Sequence, residues 1–238
     1  MSTSSFSIGD IINESWAAIK KNVWLFVAVV LGYGLISFLV SMLFNGTGAA
    51  VSYGASSDPA AILASVFTVS YFLSMLVMLA ISAIFYIGYY KMALDAADGL
   101  TPQLSAFSNA SVKKILNLFI GNIIYAIAVY LGFILCIVPG IFLAVRLQFY
   151  IFFIVENDCN AFDALAKSWE CSKGESMNLI LLGLAFFLVN ILGAICCGVG
   201  LLVTAPMSTI GIALVYRRFV GGAPEEADFE SLSDTPIV

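Results

Sequence analysis

Six long apolar runs constrain the fold of this chain more than any other feature of its sequence. Runs of about 18 or more apolar residues are typical of helices that cross a membrane. Open strands would leave backbone groups unpaired in hydrocarbon, and segments such as Leu181–Gly193 lack the alternation of a membrane β-barrel. We therefore predict an all-α, polytopic membrane helical bundle with six transmembrane helices. The predicted spans are about Val23–Phe44, Ile62–Tyr90, Ile115–Cys136, Gly140–Val155, Met177–Cys197 and Leu201–Tyr216.

The composition agrees with a membrane protein. Hydrophobic residues make up 61% of the 238 residues and charged residues only 11%. A soluble domain is typically about 45–50% apolar and about 25% charged. This apolar excess therefore belongs in lipid and not in the core of a soluble domain.

The basic residues predict how the chain is oriented. If both termini share one side, Lys or Arg residues fall in every loop or terminal segment on that side, and the opposite loops hold only one charge, Asp58. Basic residues accumulate on the cytoplasmic side of membrane proteins. We therefore expect both termini to be cytoplasmic. The N-terminal segment has no basic stretch or cleavage signature, so we expect no cleaved signal peptide.

One polar phrase occurs twice, each time shortly before an apolar run. Asp10–Lys20 and Asp163–Lys173 both read D-x4-S-W-x3-K. Both copies are too polar to span, and their apolar residues recur at helical spacing. This pattern predicts short amphipathic helices that lie in the interface. The expected interfacial anchors are Trp16, Lys20, Trp169 and Lys173, because Trp and Lys suit that depth.

A weaker third copy, Gln103–Lys113, also stands ahead of a pair of spans. If it counts, the domain over residues 1–219 contains three repeats of an interfacial helix and a membrane hairpin, over about 6–98, 99–156 and 157–219. The alternative is that any helix beside a membrane favours Trp and Lys. Residues 220–238 should form an acidic, disordered cytoplasmic tail, since they contain five acidic residues and no basic one.

Arg146 is the one basic residue inside a predicted span, six residues after Gly140. No acidic residue is predicted at its depth, so we expect its guanidinium to turn toward the outer leaflet and bind carbonyl, amide or phosphate oxygens. Either it anchors the hairpins, or it belongs to an anion or lipid-headgroup site. The candidate residues for that site are Arg146, Gln148, Asn122 and Asn190.

Residues for familiar catalytic chemistry are missing from the sequence. The chain has no histidine, no phosphate-binding loop motif and no paired C-x-x-C motif. We therefore expect no enzyme, no metal and no cofactor, and nothing points to nucleic acid. A disulfide between Cys136 and Cys196 or Cys197 stays open, beside the alternative that these are small apolar helix residues.

The segments "IVPGIFLAVRLQFYIFFIVEN" and "AFDALAKSWECSKG" resemble a bacterial six-helix membrane family. That family is related to the membrane domain of glycerophosphoryl diester phosphodiesterases, and it includes uncharacterised inner-membrane proteins. The resemblance implies a bacterial inner (plasma) membrane location and no defined activity. The matching positions are Pro139, Gly140, Arg146, Glu156, Ala164, Leu165, Ser168, Trp169, Lys173 and Gly174.

Two functions follow from the sequence. The first is a non-catalytic membrane protein that binds lipid headgroups or partner proteins through its bundle and interfacial helices. The partners would be membrane lipids and a protein that contacts the cytoplasmic helices or the acidic tail. The alternative is a transporter of a small solute or a lipid, for which few polar residues are available at the midplane.

Overall fold

The computed structural model describes residues 6–54, 69–195 and 198–221, and the regular elements in these ranges are all helical. A short 3₁₀ helix, Leu104–Asn109, stands between the second and third α-helices. The α-helices are α1 Ile8–Gly54, α2 Val69–Ala97, α3 Val112–Leu135, α4 Ile137–Leu147, α5 Tyr150–Asn157, α6 Ala161–Cys171, α7 Ser176–Ile195 and α8 Leu201–Gly221. The all-α class predicted from the sequence is confirmed.

Five helical segments of the described chain are long and apolar enough to cross a membrane. Where the residues are described, they overlap the first five predicted spans and leave out only a few residues at the ends of those spans. The fourth segment combines α4 and α5. The segments are Ile8–Leu43, Phe72–Ala97, Val112–Leu135, Ile137–Asn157 and Ser176–Ile195.

The predicted sixth span coincides with α8, which is not among the five apolar segments. Its sequence includes Thr204, Pro206 and Ser208, and two arginines, Arg217 and Arg218, lie near its C-terminal end. Yet α8 is one of the most deeply buried helices, with Ile210 and Tyr216 fully inaccessible. A helix enclosed by other helices needs little apolar surface for lipid, so α8 can be less apolar along its length than α3 and α7.

The core lies where α5 and α8 meet the C-terminal half of α2. Phe152 of α5 stacks on Tyr216 of α8 at 5.2 Å and meets Tyr90 of α2 edge-on at 5.3 Å. Aromatic pairs in these arrangements stabilise a core beyond the area that they bury. In contrast, α1, α3 and α7 leave many large apolar side chains exposed, as lipid-facing helices would.

The first copy of the polar phrase is continuous with the first span. The backbone leaves helical geometry only at Asn22, where φ is −129° and ψ is 17°. The Asn22 side chain donates to the carbonyl oxygen of Ala18, 3.4 Å away, in competition with the helical bond. The helix predicted over the first copy therefore exists as the first arm of α1, set off by a kink, and its place in the membrane interface stays a prediction.

The turn between α3 and α4 differs from the prediction. Cys136 alone is extended, and Pro139 is already the third residue of α4, where a missing N–H costs nothing. The fourth helix therefore begins three residues before Gly140, where the fourth span is predicted to start. A Cβ on Gly132 would stand 2.9 Å from the Cα of Gly140, so the two helices can approach this closely only because both positions are glycine.

The turn between α7 and α8 uses glycine in the same way. A Cβ on Gly200 would lie 2.5 Å from the carbonyl oxygen of Gly193. Gly198 has a φ of +76°, which favours glycine. Each of the two hairpins, α3–α4 and α7–α8, thus has its own glycine–glycine contact beside its turn.

The middle copy of the phrase is not an α-helix, since Leu104–Asn109 forms a 3₁₀ helix and Lys113 already belongs to α3. The three-unit organisation stays a prediction. The tail beyond residue 221, Cys196, Cys197 and part of the second predicted span lie outside the described residues. The disulfide hypothesis therefore falls on residues that are not described.

The α3–α4 crossing gives a first prediction. Gly132→Ala should lower the free energy of unfolding by about 1–3 kcal/mol, because the new methyl group would press on the backbone of Gly140. Gly183→Ala is the matched control, since nothing lies within 4 Å of a Cβ at that position. Thermal unfolding in detergent measures both. Equal stability of the two variants would contradict the crossing.

Candidate functional site

Arg146, the charged residue inside the fourth span, lies against α6. Its Nη2 donates to the carbonyl oxygen of Trp169 at 2.6 Å, and its Nε donates to the Ser172 hydroxyl at 3.2 Å. Its Cζ stands 3.7 Å from the centroid of the Trp169 ring, a close cation–π contact. The guanidinium thus sits at the C-terminal turn of α6, where the partial negative charge of the helix end favours a cation.

This placement confirms one expectation and corrects another. Arg146 binds carbonyl and hydroxyl oxygens, and none of the ion pairs among the described residues includes it. With the Cys136 turn on the outer side, as the sequence predicts, the guanidinium points away from the outer leaflet, because α6 lies at the other end of α4. Arg146 is only 7% exposed, so its charge is committed to α6 and is not open to a phosphate group.

The segment after Arg146 is a break between α4 and α5. The Ser168 hydroxyl donates to the carbonyl oxygen of Arg146 at 2.8 Å and accepts from the N–H of Phe149 at 3.1 Å. Backbone groups that a break frees inside an apolar protein must find such partners. Ser168, which the sequence analysis named only as part of the phrase and of the family resemblance, therefore closes a break inside the fourth apolar segment.

The four predicted site residues do not form one site. Asn190 joins α7 to α8 by donating to the Ser208 hydroxyl at 2.9 Å, as interhelical amides often do. Asn122 and Gln148 instead share a cavity between α2, α3 and α5. Arg146 belongs to neither group.

The predicted anchors also differ from each other. Lys20 stands 5.0 Å from the centroid of the Trp16 ring, within one helix, and both side chains are exposed. Trp169 is half-buried and receives Arg146 on its ring, while Lys173 is exposed. The first pair therefore keeps the geometry of a surface anchor, whereas Trp169 is a packing residue.

A cavity of about 630 Å³ opens between α2 and α3 and is closed behind by α5. Its wall is mostly aliphatic and aromatic, and four tyrosines stand among the lining residues. Exposed apolar side chains such as Leu76, Leu116 and Phe119 line its edges, so the opening faces the lipid side of the bundle. The tyrosines are Tyr86, Tyr90, Tyr125 and Tyr150.

The sequence reading missed these tyrosines. The available signal was the i, i+4 pair Tyr86 and Tyr90, which puts two hydroxyl groups on one side of an otherwise apolar helix. Tyr125 and Tyr150 stack at 5.4 Å, and the Tyr150 hydroxyl donates to the Asn122 carboxamide oxygen at 3.3 Å. These contacts fix the wall of the cavity from α3 to α5.

Ion pairs join the helix ends at the polar end of the bundle. Arg217 of α8 reaches both Asp98, after α2, and Glu156 of α5. Burial opposes the charge of Arg217, but its hydrogen bonds to these carboxylates outweigh burial and raise the pKa of the guanidinium. Arg218 pairs with Glu14 of α1 at 2.6 Å. A network of this kind holds the helix ends together more firmly than isolated surface pairs would.

The described cysteines and acids do not assemble a reactive centre. No group of three His, Cys, Asp or Glu side chains among the described residues could hold a metal ion. Burial raises the pKa of the Cys171 thiol to about 11, although nearby Arg146 acts in the opposite direction. Cys171 is therefore a protonated thiol at neutral pH and a poor nucleophile.

The Arg146 contacts give a second prediction. Arg146→Met should lower the free energy of unfolding by about 1–3 kcal/mol, because the Trp169 carbonyl oxygen and the Ser172 hydroxyl would lose a charged donor. The stability of Arg146→Lys should lie between those of the wild-type protein and Arg146→Met, since Lys keeps the charge but loses the planar set of guanidinium donors. Lys173→Met, at an exposed position, is the control in the same thermal unfolding assay. A more stable Arg146→Met variant would overturn this role.

Comparison with known proteins places the chain among relatives without an assigned activity. It is 26% identical over 238 residues to the uncharacterized protein Rv2560 of Mycobacterium tuberculosis, across 95% of this chain and 73% of that protein. The same values hold for the uncharacterized protein Mb2590 of Mycobacterium bovis. No solved structure matches the chain. These relatives do not support the resemblance to the membrane domain of phosphodiesterases.

A domain of unknown function, DUF7847, matches residues 103–230. The match begins at the 3₁₀ helix and includes α3 to α8, so it contains the Arg146 contacts, both glycine crossings and the α3 and α5 walls of the cavity. It covers more than half of the chain. The chain therefore belongs to the DUF7847 family.

Proposed function

We propose that this protein is a non-catalytic integral membrane protein that binds a lipid-like amphiphile in the cavity between α2, α3 and α5. The observation that carries the proposal is the cavity itself, about 630 Å³ with an apolar wall and a few polar groups. Ligand sites are typically concave, mostly apolar, and of about 300–1,000 Å³. This proposal moves the candidate site away from Arg146.

The position of the opening supports a ligand that arrives from the bilayer. The edges of the cavity are formed by exposed apolar residues of α2 and α3, including Leu79 and Phe119. In a membrane such residues face hydrocarbon, and an acyl or prenyl chain could enter between them without crossing water. A water-soluble solute would have no comparable polar route at this opening.

Transport of a lipid is the second candidate. The break between α4 and α5 favours it, since transporter sites are often built at interrupted helices. Gln148 stands at that break and lines the cavity. Binding remains the preferred function, because Ser168 and Arg146 tie the break to α6 and make it a fixed part of the bundle.

We further propose six spans, with both termini in the cytoplasm of a bacterial inner membrane. The support is that the ion pairs and the Arg146 contacts join helix ends at one end of the bundle, whereas the described turn at Cys136 carries no charge. Membrane lipids are the proposed partners. A protein partner at the cytoplasmic helices or at the acidic tail is compatible with the same orientation.

Filling the cavity gives a third prediction. Ala80→Trp places an indole at the lining of α2 and should lower the amount of lipid that co-purifies in mild detergent by about tenfold or more, a loss of about 1.4 kcal/mol. Ala28→Trp is the matched control, on the exposed surface of α1, a helix that contributes no residue to the lining of the cavity. Lipids are quantified by mass spectrometry. Equal losses, or none, in the two variants would refute the cavity as the site.

The proposed orientation gives a fourth prediction. Reporter fusions at Glu175 and at the C-terminus should both show cytoplasmic activity, and a fusion at Ser56 should show periplasmic activity. The reason is the distribution of basic residues between the two sets of loops. Alkaline phosphatase and green fluorescent protein fusions report opposite sides. Finding Ser56 and the C-terminus on one side would rule out the six-span arrangement.

A further inference from the structure

We infer that the part of the ligand bound inside the cavity is an uncharged hydrogen-bond acceptor, such as an ester carbonyl group, and that any charged headgroup stays outside. This inference rests on the proposed function and names the chemistry of the ligand at the same site. It follows from the polar atoms that the cavity leaves without partners and from the charges that its wall lacks.

The cavity offers donors. The Asn122 carboxamide oxygen already accepts from Tyr150, so the amide N–H groups of Asn122 are left to donate. The side chain of Gln148 lines the cavity and forms no hydrogen bond with any described residue. The Tyr90 hydroxyl likewise has no hydrogen-bond partner in the described part of the chain. Helices α2 and α3 and the residue that follows α4 thus each contribute an unpartnered donor to the cavity.

Two further hydroxyl groups of the wall are already occupied. The Ser82 hydroxyl donates to the carbonyl oxygen of Leu79 at 2.9 Å, and the Tyr125 hydroxyl donates to that of Ala144 at 3.4 Å. A donor that lacks a protein partner has a hydrogen bond to gain from a ligand, whereas a donor that is already bonded within the protein does not. A ligand that supplies acceptor oxygens would satisfy Asn122, Gln148 and Tyr90 together.

The same wall argues against a charged group inside. None of the residues that line the cavity is Lys, Arg, Asp or Glu. A phosphate or ammonium group in this space would be desolvated without a counter-ion, which is far more costly than burying a carbonyl group. Arg146 cannot serve, because it is committed to Trp169 and Ser172.

The test uses the full-length protein in mild detergent, with lipid binding measured by native mass spectrometry. The probes are dioleoylglycerol, which carries two ester carbonyl groups, its dioleyl ether analogue, which carries none, and dioleoylphosphatidate, which adds a charge. Wild-type protein should bind the ester about tenfold more tightly than the ether, as expected for about 1.4 kcal/mol. It should not bind the phosphatidate more tightly than the ester.

Gln148→Met, of similar volume, should remove most of the preference for the ester, and so should Asn122→Leu. Gln103→Met is the matched control, on an exposed glutamine outside the cavity, and should keep the wild-type preference. Tyr90→Phe removes a single oxygen and provides a second variant if Gln148→Met does not fold. Size-exclusion profiles in detergent establish which variants are folded.

The outcomes separate this inference from the proposed function. An ester preference that is lost in Gln148→Met or in Tyr90→Phe supports the inference. Equal binding of ester and ether, unaffected by these variants but abolished by Ala80→Trp, overturns the inference and leaves the lipid cavity in place. Preferred binding of the phosphatidate also overturns it. Binding that Ala80→Trp does not change refutes the proposed function itself.

Discussion

The hydrogen bonds that close the break between α4 and α5 are the interaction on which the rest of this bundle depends. A helix that stops inside an apolar protein exposes backbone groups that lipid cannot satisfy. Ser168 satisfies both sides of the break, and Arg146 fastens the same region to the C-terminal turn of α6. Because α5 is enclosed by α2 and α8, fixing the break also fixes the core.

The break and the cavity meet at one residue. Gln148 follows the last residue of α4 and lines the cavity between α2 and α3, together with Tyr150, Ile151 and Phe152 of α5. Gln148 reaches this space without a partner of its own, whereas the backbone beside it is satisfied from α6. A mostly apolar cavity into which a few unpartnered polar groups open is typical of a ligand site.

How far the sequence could predict this structure depended on what each residue faces. The bounds of α3 and α7 were predicted to within a few residues, because uninterrupted apolar runs report lipid exposure. The same signal was weak for α8, which is buried by protein and contains Pro206. The partner of Arg146 could not be predicted, since Trp169 is 23 residues away and only the fold brings them together. A cavity between three helices leaves no periodic pattern in any one of them.

The repeated polar phrase shows why a shared motif need not mean a shared role. Its serines, Ser15 and Ser168, are both fully buried, so in each copy this residue marks the face that packs against the bundle. Ser15 donates only within its own helix, to the carbonyl oxygen of Ile12, because α1 continues past its kink without a broken partner helix beside it. Ser168 meets a break and closes it. The adjoining tryptophans differ in the same way. The Trp16 ring contacts Lys20, one turn away in the same helix, whereas the Trp169 ring contacts Arg146 of another helix. The phrase therefore fixes how an amphipathic helix sits on the bundle, while the neighbouring helix decides what its polar groups do.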